Sequence, residues 1–471
     1  MKNIENLNII FSNMRGIFSI RFFFILLLSA STASCDGFVE VDLPDSQLTS
    51  EAVFADASSA GAALAGLYAK LRSTGMLNGS STGISCYLGL YTDELDYYQQ
   101  TAVSNFYNNS LFATDYQVNA LWNQSFNQIY TANALIDGLN KSETVPSVAK
   151  KQIMGEALFI RGLLHFTMAN LFGDLPYITS TDYKLNSRAI KMPVYRIYEN
   201  CINDLEMASD MISETYPAAE RIRPNRSTVK ALMARVYLYM KLYPEASDAA
   251  SAVINNSLYK QEINLDRIFL KGSTTTILQF MPSASGANTS EGSLYIFRSG
   301  PPPLVALRSD FVDAFEPGDK RKAQWTAKIT NGISNWYYAS KYKQDLSTSA
   351  SLEYSVIFRL AEQYLIRAEA RAYQGDIIGA KEDLNVIRNT AGLSDTPALT
   401  AQEIIADVQS QRRFELFTEF GQRFFDLKRT ERLDQTLSVV KPGWNTDDKL
   451  LPLPEVELNS NPNLKPQNPG Y

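Results

Sequence analysis

Arg367–Ala368–Glu369–Ala370–Arg371–Ala372–Tyr373–Gln374–Gly375–Asp376–Ile377–Ile378–Gly379–Ala380 is the stretch whose reading decides the fold. It lies within a longer helical pattern, 357–389, that breaks at Gly375–Asp376. Upstream, the pattern over 226–254 breaks in the same way at Tyr243–Pro244. Aligned on these breaks, Ala234, Tyr239 and Ala246 match Ala368, Tyr373 and Ala380 at one constant offset. Small Ala side chains let two antiparallel helices approach closely, and the aromatic fills the space near the turn. The competing reading is coincidence among Ala-rich helices.

The repeated unit resembles the tetratricopeptide pattern, a helix–turn–helix of about 34 residues. Working outward, 148–172 is the clearest long helix. Ala157, Ile160, Leu164, Met168 and Leu171 share one face, and Phe159, Leu163 and Phe166 widen it until the helix is nearly buried. Gly173, Asp174 and Pro176 stop it. Further helices are expected at 52–71, 118–139, 194–215 and 401–430. Two regions break the periodicity. Residues 73–117 are rich in Gly, Ser, Thr, Asn and Tyr and read as loops with short helical pieces. Residues 259–350 hold Pro301–Pro302–Pro303 and short apolar runs such as Ile277–Leu278–Gln279–Phe280, and read as irregular and partly β. The tail, 447–471, is polar and Pro-rich, with no regular element expected. The fold class is therefore mainly α. A helical scaffold, about 118–258 and 355–430, carries variable loop-rich regions within one domain, 51–471.

The first residues are read apart from this domain. Arg15 and Arg21 precede Phe22–Phe23–Phe24–Ile25–Leu26–Leu27–Leu28, and small residues lead to Cys35. This is a secretory leader, 1–34, too short in its apolar part to cross a bilayer as a helix. Cys35 sits where a lipidated cysteine should be, so the chain is expected to be exported and moored to a membrane by acyl chains. Residues 35–50 read as a polar tether. The alternatives are an ordinary signal peptide cut elsewhere and a start at Met14, which gives a leader of more usual length.

Composition excludes several classes of function. The net charge of -6 argues against a nucleic-acid partner. His165 is the only histidine and sits in an apolar helical run, where it reads as a packed residue; histidine-rich metal chemistry is excluded. Beyond Cys35 only Cys86 and Cys201 remain, to be read as buried free thiols or as a pair. Carboxylates that a structural calcium ion could use are plentiful, yet no calcium-loop spacing occurs, and no cofactor is expected. Arg412, Glu415, Glu419, Arg423 and Asp426 are three or four residues apart and read as an ion-pair ladder on one helix face. Carboxylates paired this way stay ionised, which suits structure and not general acid catalysis. Arg359, Glu362, Arg367 and Glu369 read alike.

Four blocks of sequence carry a family resemblance. They are Glu156–Ala157–Leu158–Phe159–Ile160–Arg161 with Leu171–Phe172–Gly173–Asp174–Leu175–Pro176; Phe358–Arg359–Leu360–Ala361–Glu362 with Tyr364–Leu365–Ile366–Arg367; Gln411–Arg412–Arg413–Phe414–Glu415–Leu416 with Glu419–Phe420–Gly421–Gln422–Arg423; and the tail from Leu451–Pro452–Leu453–Pro454 to Asn468–Pro469–Gly470–Tyr471. Together they resemble the SusD/RagB family of glycan-binding lipoproteins of Bacteroidetes. The resemblance implies tetratricopeptide-like hairpins behind a variable ligand-binding face. It also implies a SusC-like TonB-dependent transporter as partner, attachment to the outer membrane facing the exterior, and a structural role for the tail. Asp36, Glu40 and Asp42 are similar to the surface-export signals of such lipoproteins.

A sugar ring offers an apolar C–H face to aromatics and a polar rim to amides and carboxylates. The candidate ligand-binding residues are therefore the aromatics on irregular segments: Tyr91, Tyr97 and Tyr98 with Asp96 in one cluster, and Trp325, Trp336, Tyr337 and Tyr338 in the other. Tyr87 belongs to the first cluster as well; Trp122, in an amphipathic helix, is assigned to the core. Asp93, Glu94 and Asp96 also invite a glycosidase reading, which needs two carboxylates flanking the bond. The same groups accept sugar hydroxyls without chemistry, and the resemblance makes Asp93–Glu94 a fold element. The expectation is a non-enzymatic surface protein that binds oligosaccharide or polysaccharide and delivers it to its transporter. The rival is a peptide-binding or bracing scaffold that uses the tetratricopeptide-like helices.

Overall fold

The helical hairpins are present with nearly the expected limits. In the computed structural model, which describes residues 50–471, the longer helices are Ala57–Ser73 (α1), Ile84–Tyr91 (α2), Tyr116–Lys141 (α3), Ser147–Phe172 (α4), Val194–Met211 (α5), Arg226–Tyr239 (α6), Tyr243–Ile254 (α7), Leu360–Tyr373 (α8), Ile377–Thr390 (α9), Ala401–Glu415 (α10), Gln422–Arg429 (α11) and Leu433–Val440 (α12). The leader, Cys35 and the tether up to residue 49 lie outside the described residues. Residues 50–471 form one compact unit.

Local chemistry sets the helix limits. Asn225 caps α6 through a reciprocal bond with Thr228, and Thr400 caps α10 in the same way with Glu403. Gly375, at φ 83°, turns the chain between α8 and α9, and Asp376 then accepts from the Gly379 amide. Ala234, Ala246, Ala368 and Ala380 are all wholly buried, as close helix approach requires. The two repeat tyrosines differ. Tyr239 packs edge-on against Phe166, with ring centroids 5.0 Å apart, while Tyr373 is half-exposed and stacks at 4.2 Å on Tyr243. Helix α4 is buried along nearly its whole length from Ile153.

His165 within α4 is a packed residue. Its Nδ1 lies 2.9 Å from the Arg161 carbonyl, and its Nε2 accepts from the Ile178 amide at 3.0 Å. Burial lowers its pKa to about 3, so it stays neutral. Cys86 and Cys201 are buried free thiols.

Two expectations need correction. The 401–430 helix is interrupted: α10 ends at Glu415, Thr418, Phe420 and Gly421 take positive φ, and α11 starts at Gln422. The charged residues of 411–429 therefore do not share one helix face. Most of their partners lie on other elements, although Asp426 also pairs with Arg429 of its own helix at 2.8 Å. Arg359 holds Glu415 at 2.6 Å and Glu419 at 2.8 Å, Arg412 holds Asp426 at 2.7 Å, and Arg423 holds Asp93 at 2.8 Å. Glu362 pairs with Arg235 at 2.7 Å, Arg367 with Asp383 at 2.6 Å, and Glu369 with Arg429 at 2.5 Å. The tail does contain regular structure, a short helix Glu455–Ser460 flanked by 3-10 turns at Thr446–Lys449 and Pro462–Leu464. Asn468 fastens it to the core by donating to the carbonyls of Phe172 at 2.8 Å and Leu451 at 2.7 Å.

Two small antiparallel sheets complete the fold. Thr276–Phe280 (β2) pairs with Ser355–Arg359 (β6). The other sheet runs in the order β1, β3, β5, β4, where β1 is Leu95–Tyr97, β3 Val305–Leu307, β4 Thr326–Thr330 and β5 Asn335–Ala339. It joins the two irregular regions.

Candidate functional site

Sheet register brings together residues far apart in sequence. Leu95 pairs with Leu307, and Leu307 pairs with Tyr337. Side chains alternate across a strand, so Leu95, Leu307 and Tyr337 share one face, joined by Tyr97 and Val305. This is the core-facing side: Leu95, Val305 and Leu307 are buried, and Tyr97 and Tyr337 pack against the core. The opposite face carries Asp96, Ala306, Trp336 and Tyr338, of which Ala306 is buried and the other three are half-buried. The Tyr98 amide donates to the Leu304 carbonyl at 2.9 Å, which extends the ladder and puts Tyr98 on that outward face too. Strands lie about 5 Å apart, so the two aromatic segments flank β3 on either side.

The outward residues are braced in place. Gly300 lies under the Trp336 indole; a Cβ there would stand 2.0 Å from the ring. Phe297 sits 5.3 Å from Tyr338, ring to ring. Gln99 donates to the Pro303 carbonyl at 2.6 Å and ties β1 to the proline run. Asp96 accepts from Tyr107 Oη at 3.1 Å and lies 3.4 Å from the Arg308 guanidinium. Tyr98 is 37% exposed, and Trp336 and Tyr338 are half-buried. This is a braced aromatic strip with one anchored carboxylate at its edge.

Other sequence candidates fall elsewhere. Tyr91 is wholly buried and donates to the Asp448 carbonyl at 3.1 Å, with its ring edge-on to Phe106, Phe424 and Trp444. Trp325 is wholly buried against Phe269, with Nε1 3.3 Å from the Leu265 carbonyl. Both are core residues and leave the site. The reason is local: Tyr91 ends helix α2, which is buried on all sides, and Trp325 ends a short buried helix, Lys320–Trp325. Tyr97 and Tyr337 turn inward by the strand alternation, and the Tyr97 hydroxyl bonds with Thr101 at 2.6 Å. Tyr87 also leaves the site, since it is buried and stacks on Phe106 at 4.4 Å, whereas Trp122 packs against Phe126 and Phe172, as its core assignment requires.

Asp93 and Glu94 do not form a hydrolytic pair, because both are buried, at 4% and 2% exposure. Burial alone would raise Asp93, but hydrogen bonds and charge from Arg423 and Arg413 prevail and bring it to about 2. Burial, then the neighbouring Asp93 charge, pushes Glu94 up to about 7. Among the described residues no cluster of three or more His, Cys, Asp or Glu is arranged to hold a metal ion, and no helix is long and apolar enough to cross a membrane.

Sequence reasoning missed Phe297, Gly300 and Gln99. The glycine before Pro301–Pro302–Pro303 was the available signal, since a conformationally restricted run often marks close packing. It also missed a cleft beside α1 containing Arg72 and Glu291, whose residues occur in no motif.

Comparisons with known proteins agree with this architecture. A family model described as starch-binding associating with outer membrane matches residues 44–238, and the SusD family model matches residues 315–471. SusD-like protein P2 of Formosa agariphila is 26% identical over 418 residues, 75% of this chain and 81% of that protein. SusD-like protein P25 of the same organism is 22% identical over 513 residues, covering 93% of this chain and 96% of that one. Among solved structures, a SusD superfamily protein from Bacteroides vulgatus superposes with a TM-score of 0.78 at 21% identity, over 88% of this chain and 99% of its own. A laminarin-binding SusD-like protein gives 0.73 at 22% identity, with coverage of 88% and 99%. Surface glycan-binding protein A from Bacteroides fluxus gives 0.73 at 21%, again with coverage of 88% and 99%. Helical hairpins, the buried arginine–carboxylate pairs of 411–429 and the two matching family models lead to one conclusion: the chain belongs to the SusD/RagB family.

Proposed function

We propose that this protein captures oligosaccharide or polysaccharide on the outward face of the β1–β3–β5–β4 sheet and makes or breaks no bond. The observation that carries the reading is the assembly of Tyr98, Asp96, Trp336 and Tyr338 on one face from segments more than two hundred residues apart. Flat rings bury the apolar face of a pyranose, and the anchored carboxylate accepts from its hydroxyls. An extended strip favours a chain over a monosaccharide. Affinity is modest, because the ligand must be released again. Family membership, laminarin binding in the name of one structural neighbour and glycan binding in the name of another support the ligand class.

In this reading the protein is moored to the outer membrane by lipid on Cys35 and passes its ligand to a SusC-like TonB-dependent transporter. Retention of the full chain on immobilised laminarin and other glucans tests the binding. Trp336→Ala should weaken it about tenfold, the loss typical of an anchor residue. No retention on any glycan, or equal retention by the variant, would overturn the assignment. Cys35→Ala should release the protein from the membrane fraction, and a tagged chain should co-purify with a TonB-dependent barrel.

A rival role as a peptide-binding scaffold has less support. The repeat helices spend their inner faces on one another: Ala361, Leu365, Ala368, Ala380, Leu384 and Ile404 form a closed core among α8, α9 and α10.

A further inference from the structure

A second cleft, apart from the sheet face, lies between α1 and the segment following β2, with a volume of about 240 Å³. Its wall contains groups whose bonding capacity is unspent. Arg72, half-buried on α1, makes one hydrogen bond, from Nη1 to the Met281 carbonyl at 3.1 Å, and has no carboxylate partner among the described residues. Glu291 is 4% exposed; its Oε1 accepts from the Ser355 hydroxyl, and its Oε2 has no partner. The carboxylate fits there because residue 79 is glycine: a Cβ at Gly79 would stand 2.1 Å from it. Ser283 and Ser290 are exposed on the cleft wall, with no side-chain hydrogen bond among the described residues. Phe280 supplies an apolar patch.

A buried acceptor without a donor is costly, and a ligand hydroxyl would remove that cost. A free guanidinium matches a carboxylate through two parallel hydrogen bonds. We infer that this cleft is a subsite for one acidic sugar unit, a uronic acid, with its carboxylate on Arg72, a hydroxyl on Glu291 Oε2 and further hydroxyls on Ser283 and Ser290. The volume is below the ~300–1,000 Å³ of sites for larger ligands, so the cleft takes a single ring. A zwitterionic amino acid would satisfy Arg72 and Glu291 but leave both serine hydroxyls and the Phe280 ring unused. The short helix Ser290–Tyr295 separates the cleft from Phe297, the residue behind Tyr338. Six residues of helix rise about 9 Å, so one glycan can place a neutral stretch on the sheet face and an acidic end or branch in the cleft. The inference rests on the glycan reading above for the class of ligand and adds its charge.

Calorimetry on the purified full chain, with sodium D-glucuronate and D-glucose as probes and laminarin retention measured alongside, tests this. Glucuronate should bind and glucose should bind at least about tenfold more weakly. Arg72→Gln should weaken glucuronate by about tenfold or more, as loss of a charge-assisted pair does, and leave laminarin retention unchanged. Glu291→Gln, which replaces the unpartnered oxygen or its neighbour with an amide donor, should weaken glucuronate severalfold. If that buried variant fails to fold, Arg72→Gln decides the question, since its side chain makes a single internal bond; a melting curve checks its fold. Absence of saturable glucuronate binding at millimolar concentration overturns the inference, as does equal affinity in Arg72→Gln or tighter binding of glycine than of glucuronate. Failure of laminarin retention with glucuronate binding intact would instead sink the sheet-face reading and leave the cleft standing.

Discussion

Replacing Glu94 with Gln should make the protein more stable above neutral pH, although it deletes a charge next to a dense ion-pair cluster. Glu94 is 2% exposed, and its Oε1 has no hydrogen-bond partner. Burial first, and the Asp93 charge second, push it from an ordinary 4.5 up to about 7. The folded state therefore holds a proton that the unfolded chain releases. For an acid shifted upward, its contribution is fully favourable below the unfolded value, near pH 4.5, and is lost as pH rises through about 7. A rise from 4.5 to about 7, at 1.36 kcal/mol per tenfold change in proton affinity, corresponds to roughly 3 kcal/mol, of which about 2–3 kcal/mol falls between pH 5 and pH 8. Gln keeps the neutral shape and does not titrate. Urea unfolding of both proteins at pH 5, 6, 7 and 8 gives the difference directly. Lys341, Lys428 and Lys441, which burial lowers to about 8, 7 and 7, titrate in both proteins and largely cancel in that difference. The variant should gain on the wild type by about 2–3 kcal/mol as pH rises from 5 to 8. Parallel pH profiles, or a variant that loses ground at pH 8, would refute a neutral buried Glu94.

Asp93→Asn should act in the opposite sense. Asp93 is brought down to about 2, so it contributes about 2 kcal/mol above pH 4, lost as pH falls towards 2; removing it also strands Arg413 and Arg423, and denaturation at pH 7 should show a loss of about 3–5 kcal/mol. Gly300→Ala places a methyl group 2.0 Å from the Trp336 ring, so it should reduce glucan retention nearly as far as Trp336→Ala while moving the unfolding midpoint little. Burial raises the Cys86 thiol to about 12 and pushes Cys201 well up, so neither should react with a thiol reagent at pH 8 until the protein is unfolded; fast native labelling of either would contradict their burial.

Periodic features were legible in the sequence and non-periodic ones were not. The repeat at Ala234 and Ala368 announced itself because helix packing demands small residues at fixed spacing, and the buried run of α4 did so because its apolar residues circle the helix. The break after Glu415 was hidden. Its turn uses Thr418 and Phe420 at positive φ, residue types that seldom adopt it, with Gly421 the one warning. Of the proposed face, the sequence showed the stretches and not the residues. Aromatic density singled out the segments that the sheet brings together, yet burial within them depends on strand phase and on what packs above. Tyr337 and Tyr338 are both half-buried chain neighbours, yet strand phase turns the first towards the core and the second away from it. Tyr91 and Trp325 were lost to the core because the short helices that end in them gave no periodic signal. The Arg72–Glu291 cleft left no trace in sequence, since its two charges lie far apart and join only through the fold.

The buried charges then have an explanation beyond stability. A buried ion pair adds little over a well-packed apolar replacement, whereas loss of one partner is expensive, so such pairs dictate which elements meet. Here they clamp the sheet that carries the aromatic face. Asp93, two residues before β1, is held by Arg413 and Arg423. Lys341, two residues beyond β5, donates to the carbonyls of Glu415 at 2.7 Å and Phe417 at 2.9 Å and pairs with Glu419. Both strands that bear outward aromatics are thus fixed to the same block of residues, 413–423. The separation of Tyr98 from Trp336 and Tyr338 is therefore set by the scaffold and not by the loops between them. Loop residues can therefore change without disturbing the platform, whereas the charged block cannot, since loss of one partner strands the other.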